Sequence, residues 1–211
     1  HNVFATFMSR PMAKEPGSSM HIHQSIVRLD DDVNIFSRAD GSDTDAFMHY
    51  IGGLQKYVPL LISLFAPNVN AYRRFTREIS APISLQWGYD NRTTGFRVPV
   101  SDARARRVEN RFAGADANPY LAIAASLVAG YLGMKQKLVP TAPCPGNAYD
   151  EEITVARSLE EALRYIDEDD AVVAILGQQF IRAYRSVKLA EYDAFNRTIS
   201  SWEREHLLLN V

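Results

Sequence analysis

The stretch ARRVENRF, residues 105–112, can be read in two ways. As a β-strand it puts Arg107, Glu109 and Arg111 on one face in the order plus, minus, plus, with Val108 and Asn110 pointing away. As a helix it carries the same charges as a solvated surface. The choice decides the fold. The strand reading makes this stretch a neighbour of two others, residues 83–88 and 95–100, which are joined by the polar turn YDNRTT. Upstream, residues 3–7 and 20–29 are rich in β-branched and aromatic side chains and are expected to be strands as well. In SMHIHQS, residues 19–25, His21 and His23 are two apart and point to the same side of a strand. Two imidazoles on one face suit a metal, a phosphate or a packed core.

Helices follow from caps and punctuation. Asp45 is the expected N-cap of a helix over residues 46–65, weakened by Gly52-Gly53 and open to a kink at Pro59. Asn118-Pro119 gives a cap followed by proline at the first helical position. The helix after it is apolar on most faces and is expected to be buried. Residues 139–150 read as a proline-rich loop. Ser158 with Glu161 reads as a capping box, and residues 178–208 as one amphipathic helix broken near 199–201. Strands and helices mix without strict alternation, which predicts an α+β fold with an antiparallel sheet.

Composition sets the outer bounds. The 211 residues are 46% hydrophobic, enough for a real core. Lys and Arg total 23 against 25 Asp and Glu, a net charge of -2, which disfavours bulk attraction to nucleic acid or an anionic membrane. Cys144 is the single cysteine, so no internal disulfide can form, and a reduced, cytoplasmic setting is expected. No apolar run reaches membrane-spanning length and no signal-peptide pattern is read. HNVFATFM opens directly into strand-like sequence, so the chain is expected to begin inside a larger domain.

In this chain without excess positive charge, Arg74, Arg92, Arg97, Arg106, Arg107 and Arg111 fall near strand or loop ends between residues 74 and 111. Guanidinium forks in such numbers point to phosphate or carboxylate recognition. The HIH pair and a strand-borne glutamate add metal-ligand capacity suited to Mn²⁺ or Mg²⁺. Gly95 permits a tight bend that aims Arg92 and Arg97 at one point. A Walker A loop, GxGxxG and GxSxG are all missing from the sequence, which sets aside P-loop, Rossmann and α/β-hydrolase readings. Trp87 and Trp202 are read as packing residues and His49 as helix packing or surface.

At these residues the sequence resembles the glutamine synthetase family. The resemblance rests on FMSRPMAKEPGSSMHIHQS (7–25), NAYRRF (70–75), NRTTGFRVP (91–99) and ARRVENRFAGADANPYLAIAAS (105–126), and spans essentially the whole chain. It is to the C-terminal part of the catalytic domain. The tail ISSWEREHLLLNV (199–211) is similar to the γ-glutamylpolyamine, or γ-glutamylputrescine, synthetase branch.

The resemblance implies ATP-dependent ligation of an amine to the γ-carboxylate of glutamate through a γ-glutamyl phosphate, with Mg²⁺ or Mn²⁺. It implies that His21 and Glu109 are metal ligands and that His23 sits near the ATP phosphates and the phosphorylated glutamate. Ser25 would lie beside the nucleotide base, and Gly17 in the glutamate-binding loop. Arg74 and Arg111 would hold glutamate carboxylates, Arg92 would stabilise the transferring phosphoryl group, and Arg97 and Arg107 would hold nucleotide phosphates. The family further implies a homo-oligomeric ring, more metal-ligand glutamates upstream and an N-terminal β-grasp domain.

Two departures stand out. In FTREISAP (75–82), Ser80 occupies the position where ammonium-using members carry a glutamate, and Glu78 does not align with it. That favours an organic amine, such as a polyamine, over ammonium. Pro16 stands where the loop usually has asparagine. The alternatives are glutamine synthetase proper using ammonium, and a non-catalytic relative on the same fold. The chain alone is expected to be inactive.

Overall fold

The computed structural model describes residues 1–77 and 80–210, so Glu78 lies outside the described residues. Its sheet has four short strands, β1 (Ile22–Gln24), β2 (Trp87–Tyr89), β3 (Phe96–Val98) and β4 (Val108–Asn110), in the order β1-β4-β3-β2. The strand reading of ARRVENRF therefore holds over its central residues. β1 and β3 flank β4 antiparallel, and their register aligns His23 with Glu109 and Glu109 with Arg97. One cross-strand row thus carries imidazole, carboxylate and guanidinium on adjacent strands.

The α+β class holds, while the sheet is mixed, because β2 runs parallel to β3. Parallel neighbours ordinarily need a long crossover. These strands are three residues each, about 10 Å long, so the six residues 90–95 suffice to bring the chain back.

The expected strand at residues 3–7 does not form. Val3, Phe4 and Phe7 are 75–92% exposed, and no described strand lies alongside to pair their backbone groups. β-propensity alone does not make a strand without a ladder partner. For the same reason residues 20–29 contribute only Ile22–Gln24, with isolated bridges at Ser19 and Val27.

Two long helices back the sheet. α1 (Asp45–Phe65) is capped by Thr44, whose side chain accepts from the Phe47 N–H, one residue before the expected cap. Asp45 sits in the first turn, where a carboxylate favours the positive end of the helix dipole. The helix continues through Pro59. α2 (Pro119–Gln136) starts as expected, with Asn118 Oδ1 accepting from the N–H groups of Tyr120 and Leu121. The two helices cross at glycine. A Cβ on Gly133 would lie 2.2 Å from His49 O and 2.5 Å from Gly53 Cα, so only glycine lets the backbones meet.

α2 is not buried on most faces. Tyr120, Ile123, Leu127 and Tyr131, spaced as one helical stripe, are 45–84% exposed. The helix is apolar all round, but α1 and the sheet cover only one side.

The C-terminal third adds α3 (Leu159–Tyr165), α4 (Asp170–Leu176), α5 (Gln178–Asn196) and α6 (Ser201–Leu207). The predicted break in the last helix falls at residues 197–200, where Ser200 and Glu203 form a capping box. At α3 the Ser158 hydroxyl accepts from Glu161 N–H, but the Glu161 carboxylate accepts from Arg157 N–H rather than closing on Ser158. α4 was not anticipated. Trp87 is buried and donates to Thr141 O, whereas Trp202 is exposed and stacks on His206. No helix among the described residues is long and apolar enough to cross a membrane.

Candidate active site

The sheet has two faces of opposite character. On one, Asn110 Nδ2 donates to Ser126 Oγ of α2 (3.0 Å), and Ser126 Oγ donates to Gln24 Oε1 (2.5 Å), all three side chains buried. On the other, a cavity of about 530 Å³ opens over the row His23–Glu109–Arg97. Its walls are His21, Arg97, Glu109 and Arg111 from the strands and their flanks. Arg92 and Thr93 come from the turn before β3, and Ser80 and Tyr149 from loops.

Glu109 is the hub. It is 2% exposed, yet it is surrounded by donors. His21 Nδ1 lies 2.7 Å from its Oε1, Arg111 Nη1 3.1 Å from the same oxygen and Arg97 Nη1 3.1 Å from Oε2. Burial by itself would push the carboxyl upward. The hydrogen bond from His21, the Arg111 charge and the Arg97 hydrogen bond outweigh it and hold the group at about 2. Glu109 is therefore a carboxylate at neutral pH, with both oxygens engaged.

The remaining cations are graded in freedom. Arg97 is also gripped by Asp90, through Nε at 3.1 Å and a second contact from Nη2. Arg107 and His23 are not part of the lining; Arg107 donates from Nε to His23 Nδ1 at 3.3 Å. Burial lowers the pKa of His23, Glu109 opposes this and Arg107 adds to it, so its imidazole is held toward the neutral form. Arg92 lines the cavity, is exposed, and makes no ion pair with a described residue. Like Arg107, it has no carboxylate of its own among the described residues, and it is the one of the two that lines the cavity, where an incoming anion can reach it.

His21 and Glu109 offer one imidazole nitrogen and one carboxylate side by side, a donor set suited to Mn²⁺ or Mg²⁺. Among the described residues no group of three or more His, Cys, Asp or Glu side chains is placed to hold a metal ion. The chain thus fits two positions of a divalent-metal shell.

Other sequence-predicted residues fall outside the cavity. Arg74 is 1% exposed and lies beneath it, donating to Phe112 O (3.1 Å) and Ser19 Oγ (2.7 Å), with burial pressing its pKa down to about 10. Gly17 packs on it: a Cβ there would come within 2.5 Å of Ser9 O and 2.9 Å of Arg74 Cγ. Ser25 is exposed and is not part of the lining. Arg106, counted with the arginine cluster, is tied to Asp43 and to Gly41 O and serves the loop before α1.

Thr93 and Tyr149 were not anticipated, and Ser80 was noted only for what it replaces. Their loops meet through long-range contacts such as Ala148 N–H to Thr93 Oγ1 (2.8 Å), for which local sequence carries no signal.

Residues 1–207 match the family model described as the glutamine synthetase catalytic domain. The chain belongs to this family. Within it, γ-glutamylputrescine synthetase of Escherichia coli is 37% identical over 100% of this chain and 45% of its own length. Glutamate–isopropylamine ligase of a Pseudomonas species is 36% identical, over 96% of this chain and 45% of its own. Glutamine synthetase of Vibrio cholerae is also 36% identical, over 95% and 45%. The ligand-free structure of GmaS superposes with a TM-score of 0.84 at 28% identity, covering 97% of this chain and 48% of that one. The chain spans about half the length of the curated relatives it matches.

Proposed function

We propose that this chain forms the arginine-rich half of the active site of an ATP-dependent glutamate–amine ligase, with an organic amine, putrescine among the candidates, as nucleophile. The observation that carries the reading is the cavity over Glu109, where His21, Arg97 and Arg111 converge on an ionised carboxylate and Arg92 lines the same space.

Glutamate's γ-carboxylate is a poor electrophile. Transfer of the ATP γ-phosphoryl group makes it a mixed anhydride, and the amine nitrogen then attacks its carbonyl carbon while phosphate leaves. A phosphoryl group in flight spreads negative charge over three oxygens, and positioned cations stabilise it. Arg92, free of any described carboxylate, is placed to follow that group. Arg97 and Arg107 take nucleotide phosphates, with His23 beside them. Arg111 takes a glutamate carboxylate, and a bidentate guanidinium fixes the substrate's orientation as well as its charge. Arg74 supports this side from beneath, through Phe112 and Ser19. Gly17 belongs to the glutamate-binding loop, and Ser25 lies toward the nucleotide base. His21 and Glu109 would hold a divalent cation, which neutralises phosphate charge when bound. The other metal ligands are supplied from outside this chain, which therefore does not turn over alone. The complete enzyme is a homo-oligomeric ring in the cytoplasm.

Ser80 favours an organic amine. An ammonium ion is a small cation that needs a carboxylate of its own, and Glu109, the carboxylate in the lining among the described residues, is assigned to the divalent cation and to its three partners. Glutamine synthesis from ammonium remains the second reading, favoured by relatives such as the Vibrio cholerae enzyme at nearly equal identity. Phosphate release dependent on ATP and glutamate, measured with putrescine, isopropylamine and ammonium on the full-length protein, separates the two. The expected order puts the organic amines first. Preference for ammonium would overturn the argument from Ser80, and turnover by the 211-residue chain alone would overturn the half-site.

A further inference from the structure

Among the described residues, the cavity over Glu109 is lined almost entirely by charge and hydroxyl, with one aromatic side chain, Tyr149. We propose that Tyr149 is the residue that selects the amine, its ring forming the wall along which the carbon chain of a primary alkyl amine lies. This rests on the ligase reading above and deepens it.

Three observations carry the inference. The Tyr149 phenol is half-buried and faces the site: burial raises its pKa, and the nearby Arg111 charge opposes the rise. Its hydroxyl makes no hydrogen bond with any described residue. The loop that presents it is fixed at several points. Tyr149 N–H donates to Asn147 Oδ1 (3.1 Å), Asn91 Nδ2 donates to Gly146 O (2.7 Å), and Ala148 N–H to Thr93 Oγ1 (2.8 Å), which fastens the loop to the turn bearing Arg92. Arg77 donates to Tyr149 O and to Glu151 O (2.9 Å), a further anchor on the same loop. Tyr149 and Ser80 line the same cavity. Ser80 is held at φ 63°, a left-handed conformation that non-glycine residues rarely adopt, and its carbonyl receives Arg111 Nη2 at 3.5 Å.

The chemistry explains the pairing. The amine must attack as the uncharged base, and among the described residues this wall has no free carboxylate to hold it as an ammonium ion. Its nitrogen lone pair forms the C–N bond to the acyl carbon of γ-glutamyl phosphate. The C–O bond to phosphate breaks with its electron pair on oxygen, and the N–H proton leaves to solvent or the departing phosphate. The ring contributes apolar contact along the chain, and for a diamine a cation–π contact with the distal charged end.

The test is amine-dependent phosphate release by the full-length protein and its Tyr149→Ala, Tyr149→Leu and Tyr149→Phe variants. Putrescine, isopropylamine and ammonium are the probes. Tyr149→Ala is expected to raise KM for the two alkyl amines by about tenfold or more, leaving KM for ATP and glutamate unchanged. Tyr149→Phe keeps the ring and stays within about threefold of wild type. If Tyr149→Ala does not fold, Tyr149→Leu against Tyr149→Phe makes the same comparison. An equal loss with ammonium and alkyl amines, or a rise in glutamate and ATP KM alongside, would overturn this role while the wild type remained an active ligase. No amine-dependent release by the wild type would overturn the ligase reading and the inference together.

Discussion

The two faces of the four-stranded sheet use buried polar groups in opposite ways. Against α2, Gln24, Asn110 and Ser126 are neutral and bond to one another, which docks a helix. Facing the cavity, Glu109 is charged and answers to His21, Arg97 and Arg111, which gathers cations around an open space. Alternation along β4 produces the contrast: Val108 and Asn110 go one way and Glu109 the other. Substitutions on the helix face are therefore expected to act through stability alone, and those on the cavity face to reach ligand handling as well.

The sharpest way to break this contrast is to remove the hub. Glu109→Ala leaves the buried Arg111 guanidinium without its counter-charge and takes one of two carboxylates from Arg97, which keeps Asp90. It is expected to cost about 3–5 kcal/mol of folding stability, read from a urea transition. A neutral result would mean the cations disperse into solvent and the hub is not structural. On the helix side, Gly133→Ala forces a Cβ to within 2.2 Å of His49 O. Overpacking there is expected to cost about 1–3 kcal/mol by the same measurement. Ser126→Ala strands the Asn110 amide, for about 1–3 kcal/mol, and sharpens the comparison because no charge is involved. The smallest effect is expected outside both faces. Arg164→Ala removes an exposed pair with Glu160 and should leave the urea midpoint nearly unchanged.

The polar face was largely legible in the sequence. A period of two placed His21 with His23 and set Glu109 apart from Val108 and Asn110; burial follows that alternation in β1, whereas all three residues of β4 are buried. Arg92, Arg97 and Arg111 fall where the motif spacing put them, around one cavity. What was not legible depends on contacts remote in sequence. Residues 3–7 have strand composition but no described partner. β2 pairs in parallel because its neighbours are short. Arg74 is drawn beneath the cavity by Phe112 O and Ser19. Tyr149 enters the lining through a loop whose anchors, Arg77, Asn91 and Thr93, lie more than fifty residues away in sequence. The exposed stripe on α2 was misread because apolar composition does not say how many sides have a partner.

The central claim is that the two faces divide the labour, and Arg92 tests it most directly because it has no described ion-pair partner to disturb. The measurement is amine-dependent phosphate release by the full-length protein, with thermal stability followed in parallel, for Arg92→Ala beside Ser126→Ala. The account predicts that Arg92→Ala lowers kcat by about a hundredfold or more with little change in Tm, and that Ser126→Ala lowers Tm while the folded fraction keeps near-normal kcat. Wild-type turnover by Arg92→Ala would contradict it.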